Sequence, residues 1–166
     1  SALSVTSFRV DTANPSVSSL SPLDNATGVS GSSNLVITFG ENVTVQTGNI
    51  TIKKTSDDST VEAIDVTSGL VTGTGTTAIT VNPATTLSSN TSYYVLIDAT
   101  AFDDTAGNSY AGISSTTAWN FTIADTTAPT ISEVTPVTTP TTDSTPNYTF
   151  TTDEAGTISY GGSCTS

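Results

Sequence analysis

The sequence predicts an all-β fold in which two sheets pack face to face. Short runs rich in Val, Ile, Thr and aromatic residues alternate apolar and polar side chains with a period of two, as in Leu35, Ile37 and Phe39. Gly, Asn, Asp and Pro separate these runs, as expected of turns. No stretch repeats apolar residues with the 3.6-residue spacing of a helix. One face of each run is therefore expected to be buried in a shared core.

The predicted strands follow one another within residues 11–124. They cover residues 16–21, 35–39, 49–54, 61–66, 77–81, 92–98 and 117–123. About seven strands in roughly 115 residues, with turns between them, are typical of an immunoglobulin-like sandwich, and a closed barrel is the alternative. Trp119 and Phe121 are expected to anchor the core. Tyr93 and Tyr94 are neighbours in one strand, so one should be buried and the other exposed.

A 12-residue stretch occurs in two similar copies, which indicates a repeat. DTANPSVSSLSP begins at Asp11 and DTTAPTISEVTP begins at Asp125, and the offset of 114 residues (125 − 11) also relates the closing prolines, Pro22 and Pro136. Both copies place a proline at the fifth position and alternate β-branched or aliphatic residues. A period of this length corresponds to one whole domain, so the sequence predicts a tandem array.

This repeat divides the chain into three predicted parts. Residues 1–10 are expected to be the last strand of a preceding domain or an N-terminal extension, and residues 11–124 one complete domain. Residues 125–166 are expected to be a linker and an incomplete second immunoglobulin-like domain, with strands near 130–135, 147–152 and 157–160. The single cysteine, Cys164, either pairs with a cysteine further along the polypeptide or remains a free small residue.

The charge balance excludes several classes of partner. The net charge is −12, and the only basic residues are Arg9, Lys53 and Lys54. Nucleic acids and anionic membranes require clustered Lys and Arg, so neither is an expected partner. One cysteine and no histidine cannot supply a zinc site. No segment reaches the roughly 20 apolar residues of a membrane span, so we expect no membrane insertion in this segment.

Three stretches of the chain resemble a known family. They are SLSPLDNATGVSGSSNLVITFGENVTVQTGNITI, YYVLIDATAFDDTAGNSYAGI and WNFTI. Together they are similar to the bacterial Ig-like domains found in S-layer and large surface proteins, over roughly residues 15–123, and the tail from Asp125 resembles the start of a different repeat of this kind. The resemblance implies a structural or adhesive surface protein, exported by a bacterium, and it implies no catalytic activity.

A group of oxygen-bearing side chains predicts a calcium site at one end of the sandwich. Residues 99–116 form the longest break in the strand pattern, and alternating strand directions place this loop beside the linker and beside the turn after the second strand. Calcium takes six to eight oxygen ligands, and a bound ion would stiffen the joint between domains. The alternative is that DDTAGN is an ordinary turn. The predicted ligands are Asp11, Glu41, Asp103, Asp104 and Asn108, with Asp125 in the equivalent position of the next joint.

The sequence predicts no enzyme. It has no histidine to act as a general base, and the carboxylate pairs Asp57–Asp58 and Asp153–Glu154 are adjacent in sequence rather than opposed across a cleft. The leading hypothesis is a structural spacer repeat whose partners are neighbouring Ig-like repeats of the same polypeptide. Glycan or protein binding through Tyr94, Tyr110 and Tyr160 is one alternative. The other is a filament in which residues 1–10 of one chain add as a strand to another chain's open edge.

Overall fold

The computed structural model describes residues 10–138 and 141–159. The chain divides into two compact units, with the boundary between Asp125 and Thr126. Among the described residues, no helix has the length and apolar character needed to cross a membrane. The predicted strand at residues 1–10 lies almost entirely outside the described residues, as does Cys164.

The first unit contains two five-stranded sheets. Its strands are β1 (Val17–Ser21), β2 (Ala26–Val29), β3 (Leu35–Val45), β4 (Asn49–Lys54), β5 (Thr60–Asp65), β6 (Val71–Thr72), β7 (Thr76–Val81), β8 (Ser92–Ile97), β9 (Phe102–Asp104) and β10 (Asn120–Ile123). One sheet has the order β1-β3-β7-β6, with β9 paired to β3, and the other has the order β2-β10-β8-β4-β5. All pairs are antiparallel except β2 with β10.

The core lies between the inner faces of the two sheets, which confirms the all-β sandwich. Leu35, Ile37 and Phe39 alternate inward along β3 and are almost fully buried. Trp119 is fully buried as predicted, and its indole Nε1–H donates to the Pro22 carbonyl at 2.8 Å. This bond satisfies the one polar atom of a large apolar side chain, and it joins the segment after β1 to the segment before β10.

Three strands of the first unit were missed by the period-of-two criterion. β2 and β6 are short, and β9 lies inside the segment predicted as a long loop. β3 is also longer than predicted, because after Phe39 it continues through an irregular stretch and pairs again from Val43 onward. Strands this short carry too few alternations to be distinguished from turns.

The prediction for the tyrosine pair was wrong. Tyr93 and Tyr94 do occupy opposite faces of β8, but both are buried. The Tyr93 hydroxyl accepts the Ser88 N–H at 2.9 Å, and the Tyr94 hydroxyl donates to Asp58 Oδ1 at 3.0 Å. Asp58 lies in the turn between β4 and β5, so this turn folds over the outer face of the sheet and covers Tyr94.

The second unit contains one antiparallel hairpin, formed by β11 (Ile131–Thr135) and β12 (Thr149–Thr152). Both strands agree with the prediction. The third predicted strand, at 157–160, is not observed, because residues 157–159 are not in a strand and Tyr160 lies outside the described residues. Ile131, Val134 and Tyr148 are more than half exposed, in contrast to the apolar residues of β3.

The hairpin of the second unit repeats the β1–β3 ladder of the first unit. β11 lies 114 residues after β1 (131 − 17), and Asn147 to Glu154 follows Asn34 to Glu41 at an offset of 113 (147 − 34). Applying these offsets to the end pairs Val17↔Phe39 and Ser21↔Val36 gives Ile131↔Thr152 and Thr135↔Thr149, which are the pairs observed. Each ladder contains one register irregularity, between Val17 and Ser19 in the first and between Glu133 and Thr135 in the second, so the inner pairs differ.

Each hairpin also has one backbone hydrogen bond just outside its ladder, and the two bonds are related by the same offsets of 114 and 113 residues. The Gly40 N–H donates to the Ser16 carbonyl at 3.0 Å, and the Asp153 N–H donates to the Thr130 carbonyl at 3.3 Å. The two hairpins therefore share strand direction, register at both ends and the first contact outside the ladder.

Candidate metal centre

Asp104 is the only buried charged residue among those that the structure describes, and its side chain is 4% exposed. It ends β9 and lies opposite Val43 of β3. Residues directly opposite in an antiparallel pair share one face of the sheet. Since Val43 is fully buried, Asp104 also lies on the inner face, at the margin of the core.

The turn after β9 is built around the Asp104 carboxylate. Its Oδ1 accepts the backbone N–H groups of Ala106 and Asn108, each at 2.8 Å, and its Oδ2 accepts the Asn108 side-chain amide at 2.7 Å. Gly107 allows this turn because it adopts a positive φ of 90°. The hydrogen bond from the Asn108 side chain, helped by backbone N–H groups, holds the pKa of Asp104 below its ordinary value, although burial acts in the opposite direction.

Glu41 lies where β3 changes its edge partner. β1 pairs with β3 up to Phe39, β9 pairs with it from Val43, and the register shifts between these segments. Glu41 lies two residues from each of the inward-facing residues Phe39 and Val43, so its side chain is on the same face of β3. It is only half-buried because neither edge strand covers this point. Its carboxylate therefore borders the gap between the start of β1 and the end of β9.

Asp11 reaches the same gap from the segment that precedes β1. Its Oδ1 accepts the N–H of Ala13 at 3.0 Å, and its carbonyl accepts the Asn108 side-chain amide at 3.3 Å. Asn108 therefore bonds both to this segment and to Asp104. One amide group joins the linker to the turn after β9.

The structure brings together Asp11, Glu41 and Asp104. One oxygen from each carboxylate lies within 4.8 Å of the others. Oxygens on opposite sides of a Ca²⁺ ion lie about 4.6–5.2 Å apart, and on Mg²⁺ about 4.0–4.2 Å, given their usual ligand distances. An oxygen spacing within 4.8 Å is compatible with three carboxylates that share one divalent cation. The described basic residues, Lys53 and Lys54, lie in the other sheet, so neither is on a strand that borders the cluster.

Three other predicted ligands occupy different positions. Asp103 lies opposite Thr44 and so projects from the outer face of β9, away from Asp104. Asn108 presents its amide nitrogen to Asp104 and to the Asp11 carbonyl, so it positions the site as a donor. Asp125 follows β10, where the Ser89 hydroxyl donates to its Oδ1 at 3.3 Å, and it is not part of the cluster.

The turn interpretation of DDTAGN also has direct support. Asp104 closes this turn through backbone N–H groups, as Asp commonly does. A carboxylate has about four acceptor positions, and the hydrogen bonds described above use three of those on Asp104. Oδ2 therefore retains capacity for a cation, and the two interpretations are compatible.

Two solved structures of S-layer proteins are similar to this chain. No curated protein matches the chain. The crystal structure of the S-layer protein rSbsC(31-844) is 20% identical with a TM-score of 0.44, and the match covers 73% of this chain and 15% of that one. The crystal structure of the N-terminal part of the bacterial S-layer protein SbsC is 21% identical with a TM-score of 0.46, covering 73% of this chain and 26% of that one. Likenesses at this level carry no functional argument.

The sequence profile of the bacterial Ig-like domain matches residues 11–123. The matched range begins at Asp11 and ends at Ile123, the last residue of β10, so it contains every strand of the first unit. It covers more than half of the chain, which therefore belongs to the bacterial Ig-like domain family.

Proposed function

We propose that this chain is a non-catalytic structural module, a spacer repeat of a bacterial cell-surface or extracellular protein in which Ig-like domains follow one another. The observation that carries the proposal is the repeated ladder: β11 and β12 reproduce the end-to-end register of β1 and β3 at a spacing of 113–114 residues. A regular spacing of whole sandwiches is the property that a spacer requires.

The use of the carboxylates supports a structural role. Asp57 and Asp65 each accept the backbone N–H two residues further on, at 3.0 and 2.8 Å. The two carboxylate oxygens of Glu62 accept the N–H groups of Ala84 and Thr85, at 3.0 and 2.9 Å. These acids stabilise turns and connections, whereas catalytic carboxylates must be available to a substrate.

Ligand binding through exposed aromatic residues is the less favoured function. Two of its three candidate residues, Tyr94 and Tyr110, are 3% and 7% exposed. Tyr110 packs edge-on against Phe39, with ring centroids 5.2 Å apart. The third candidate, Tyr160, lies outside the described residues. Buried rings cannot stack on a sugar.

A glycan array tests the spacer against the adhesin. The reduced full chain can be labelled at Cys164, its only cysteine, without any substitution. We expect no sugar to give a saturable signal. Saturable binding that free sugar competes away would overturn the spacer proposal in favour of an adhesin.

We also propose that Ca²⁺ binds at Asp11, Glu41 and Asp104. The support is the spacing of their carboxylate oxygens and, among the described residues, the absence of a Lys or Arg on the strands around them. A cation would offset the repulsion among three close carboxylates. It would also hold the segment before β1 against the turn after β9, because Asp11 and Asp104 lie on these two elements.

A thermal melt followed by Trp119 fluorescence tests the calcium site. Trp119 is the only tryptophan and is buried in the first unit, so it reports on that unit. Ca²⁺ at about 100 times its Kd would stabilise the fold by about 2.7 kcal/mol relative to chelator. Glu41→Gln should abolish the shift, and Asp103→Asn should preserve it. An identical melting temperature in saturating Ca²⁺ and in chelator would remove the site.

A further inference from the structure

The inner face of the second hairpin is apolar and exposed. Tyr148, which directly precedes β12, and Phe150 of β12 share this face, with ring centroids 6.1 Å apart, and Ile131 lies opposite Thr152 on the same side. Ile131 and Tyr148 are 66% and 54% exposed. A groove of about 230 Å³ runs along this face, and its apolar lining includes Pro129 and Ile158.

The equivalent face of the first unit has identified neighbours. With the offset of 113, Tyr148 corresponds to Leu35 and Phe150 to Ile37, both almost fully buried. The edge of β3 that does not face β1 is taken by antiparallel β7, which pairs Val81 with Leu35 and Ile79 with Ile37. Within the described residues, β12 has β11 on one edge and no strand on the other.

We propose that the free edge of β12 is an acceptor for one antiparallel strand with the chemistry of β7. In β7, the residues facing the core are Ile79 and Val81, and the residue between them is Thr80. The bound strand would place an apolar β-branched residue beside Phe150 and another beside Tyr148, as Ile79 and Val81 lie beside Ile37 and Leu35. This inference rests on the proposed function, because it follows from the repeat.

The occupant is a strand of the polypeptide that carries the hairpin, in the role that β7 has in the first unit. Two observations favour this source. The first is the register shared at both ladder ends, which aligns the free edge of β12 with the edge of β3 that antiparallel β7 occupies. The second is that β7 reaches β3 from further along the same polypeptide, after β4, β5 and β6.

A peptide that copies β7 tests the acceptor edge. The isotope-labelled full chain would be titrated with residues 74–83 as a synthetic peptide, TGTTAITVNP, and with a scrambled peptide of the same composition. We expect saturable 1:1 binding of the β7 peptide and slower amide hydrogen exchange at Thr149–Thr152. Phe150→Asp should weaken binding by about tenfold or more, because it places an unpaired charge beside the incoming apolar residue. Thr151→Asp, on the outer face of the same strand, is the matched control and should bind normally.

Each other outcome would overturn the inference. These outcomes are equal binding of the scrambled peptide, no protection of Thr149–Thr152, or equal effects of Phe150→Asp and Thr151→Asp. A concentration-dependent dimer of the peptide-free chain, lost in Phe150→Asp, would assign the face to a second copy instead. None of these results bears on glycan binding by the full chain, so failure of the acceptor edge is distinguishable from failure of the spacer proposal.

Discussion

The two hairpins of this chain share the register at both ladder ends but have different surroundings. β1 with β3 and β11 with β12 agree in direction, in register at both ends and in the hydrogen bond beyond the ladder. Ile37 on β3 is fully buried, whereas its counterpart Phe150 on β12 is only half-buried. The register at the ladder ends is therefore compatible with both degrees of burial of the inner face.

Burial in the first unit depends on residues that are distant in sequence. The side chains that pack against Phe39 of β3 include Phe102 of β9 and Tyr110, which lie more than 60 residues further along the chain. The loop-closure entropy of such contacts must be offset by the apolar area they bury. A hairpin without them keeps its hydrogen bonds but gains little from the hydrophobic effect.

The largest effect expected from this comparison comes from truncating the matched inner residues. Ile37→Ala should destabilise the first unit by about 2–5 kcal/mol, because it leaves a cavity in a closed core. Phe150→Ala should change stability by less than about 1 kcal/mol, although it removes a larger side chain, because Phe150 is only half-buried. Denaturant unfolding followed by Trp119 fluorescence measures the first effect, and amide exchange in β12 measures the second. Equal losses at the two positions would mean that their environments are alike.

The sequence predicted the parts of the fold that depend on local pattern. The period of two located β3, β4 and β8, and the 114-residue offset located β11. Strand direction predicted that Asp11, Glu41 and Asp104 lie near one another, and one oxygen from each carboxylate lies within 4.8 Å of the others. The calcium assignment itself stays a prediction.

Other features depend on contacts that local pattern does not encode. Asp103 and Asp104 are equally good ligands in the sequence, and only the pairing of β9 with β3 determines which one faces inward. One of Tyr93 and Tyr94 was expected at the surface because alternation assumes an uncovered outer face. The β4–β5 turn covers that face through Asp58, and no pattern within β8 indicates this contact.

The second expected effect concerns the turn after β9, which is built around Asp104 in the first unit. Asp104→Asn replaces one acceptor oxygen by an NH₂ group, which would face either the backbone N–H donors or the amide of Asn108. The buried donor left without an acceptor should lower the melting temperature of the first unit by about 5 °C in chelator. Asp103→Asn is the matched control on the outer face and should leave the melt nearly unchanged. Trp119 fluorescence measures both. If Asp104→Asn melted like the parent chain, the carboxylate would not be what holds this turn.

A smaller effect is expected from acid, and it should act on both units. The Asn108 side chain lowers the pKa of Asp104 below 3.8, and the Thr130 backbone N–H lowers that of Asp153 in the second unit. A carboxyl with a lower pKa in the folded chain binds fewer protons there than when unfolded. Its contribution to stability is therefore present above about pH 4 and is lost as the pH falls through the folded-state pKa. Melts between pH 6 and pH 2 should show this loss, and Asp104→Asn should reduce it in the first unit only. Asp57 and Asp65, whose pKa values are lowered by hydrogen bonds from Ser59 and Thr67, should account for the loss that remains there. A melting temperature that rises towards low pH would contradict this prediction.

The smallest effect should come from substituting Asp153, because the equivalent position beside the first ladder is a glycine. Asp153 occupies the position of Gly40, and its Oδ1 accepts the Thr130 N–H at 2.7 Å, a bond that Gly40 cannot make. Asp153→Gly converts the second hairpin to the arrangement of the first, so it should speed amide exchange at Thr130 by about five- to tenfold, the equivalent of one modest hydrogen bond. The Trp119 melt should not change, because Asp153 lies in the other unit. If exchange at Thr130 were unaffected, the backbone ladder alone would hold the second hairpin closed, as it does beside Gly40 in the first.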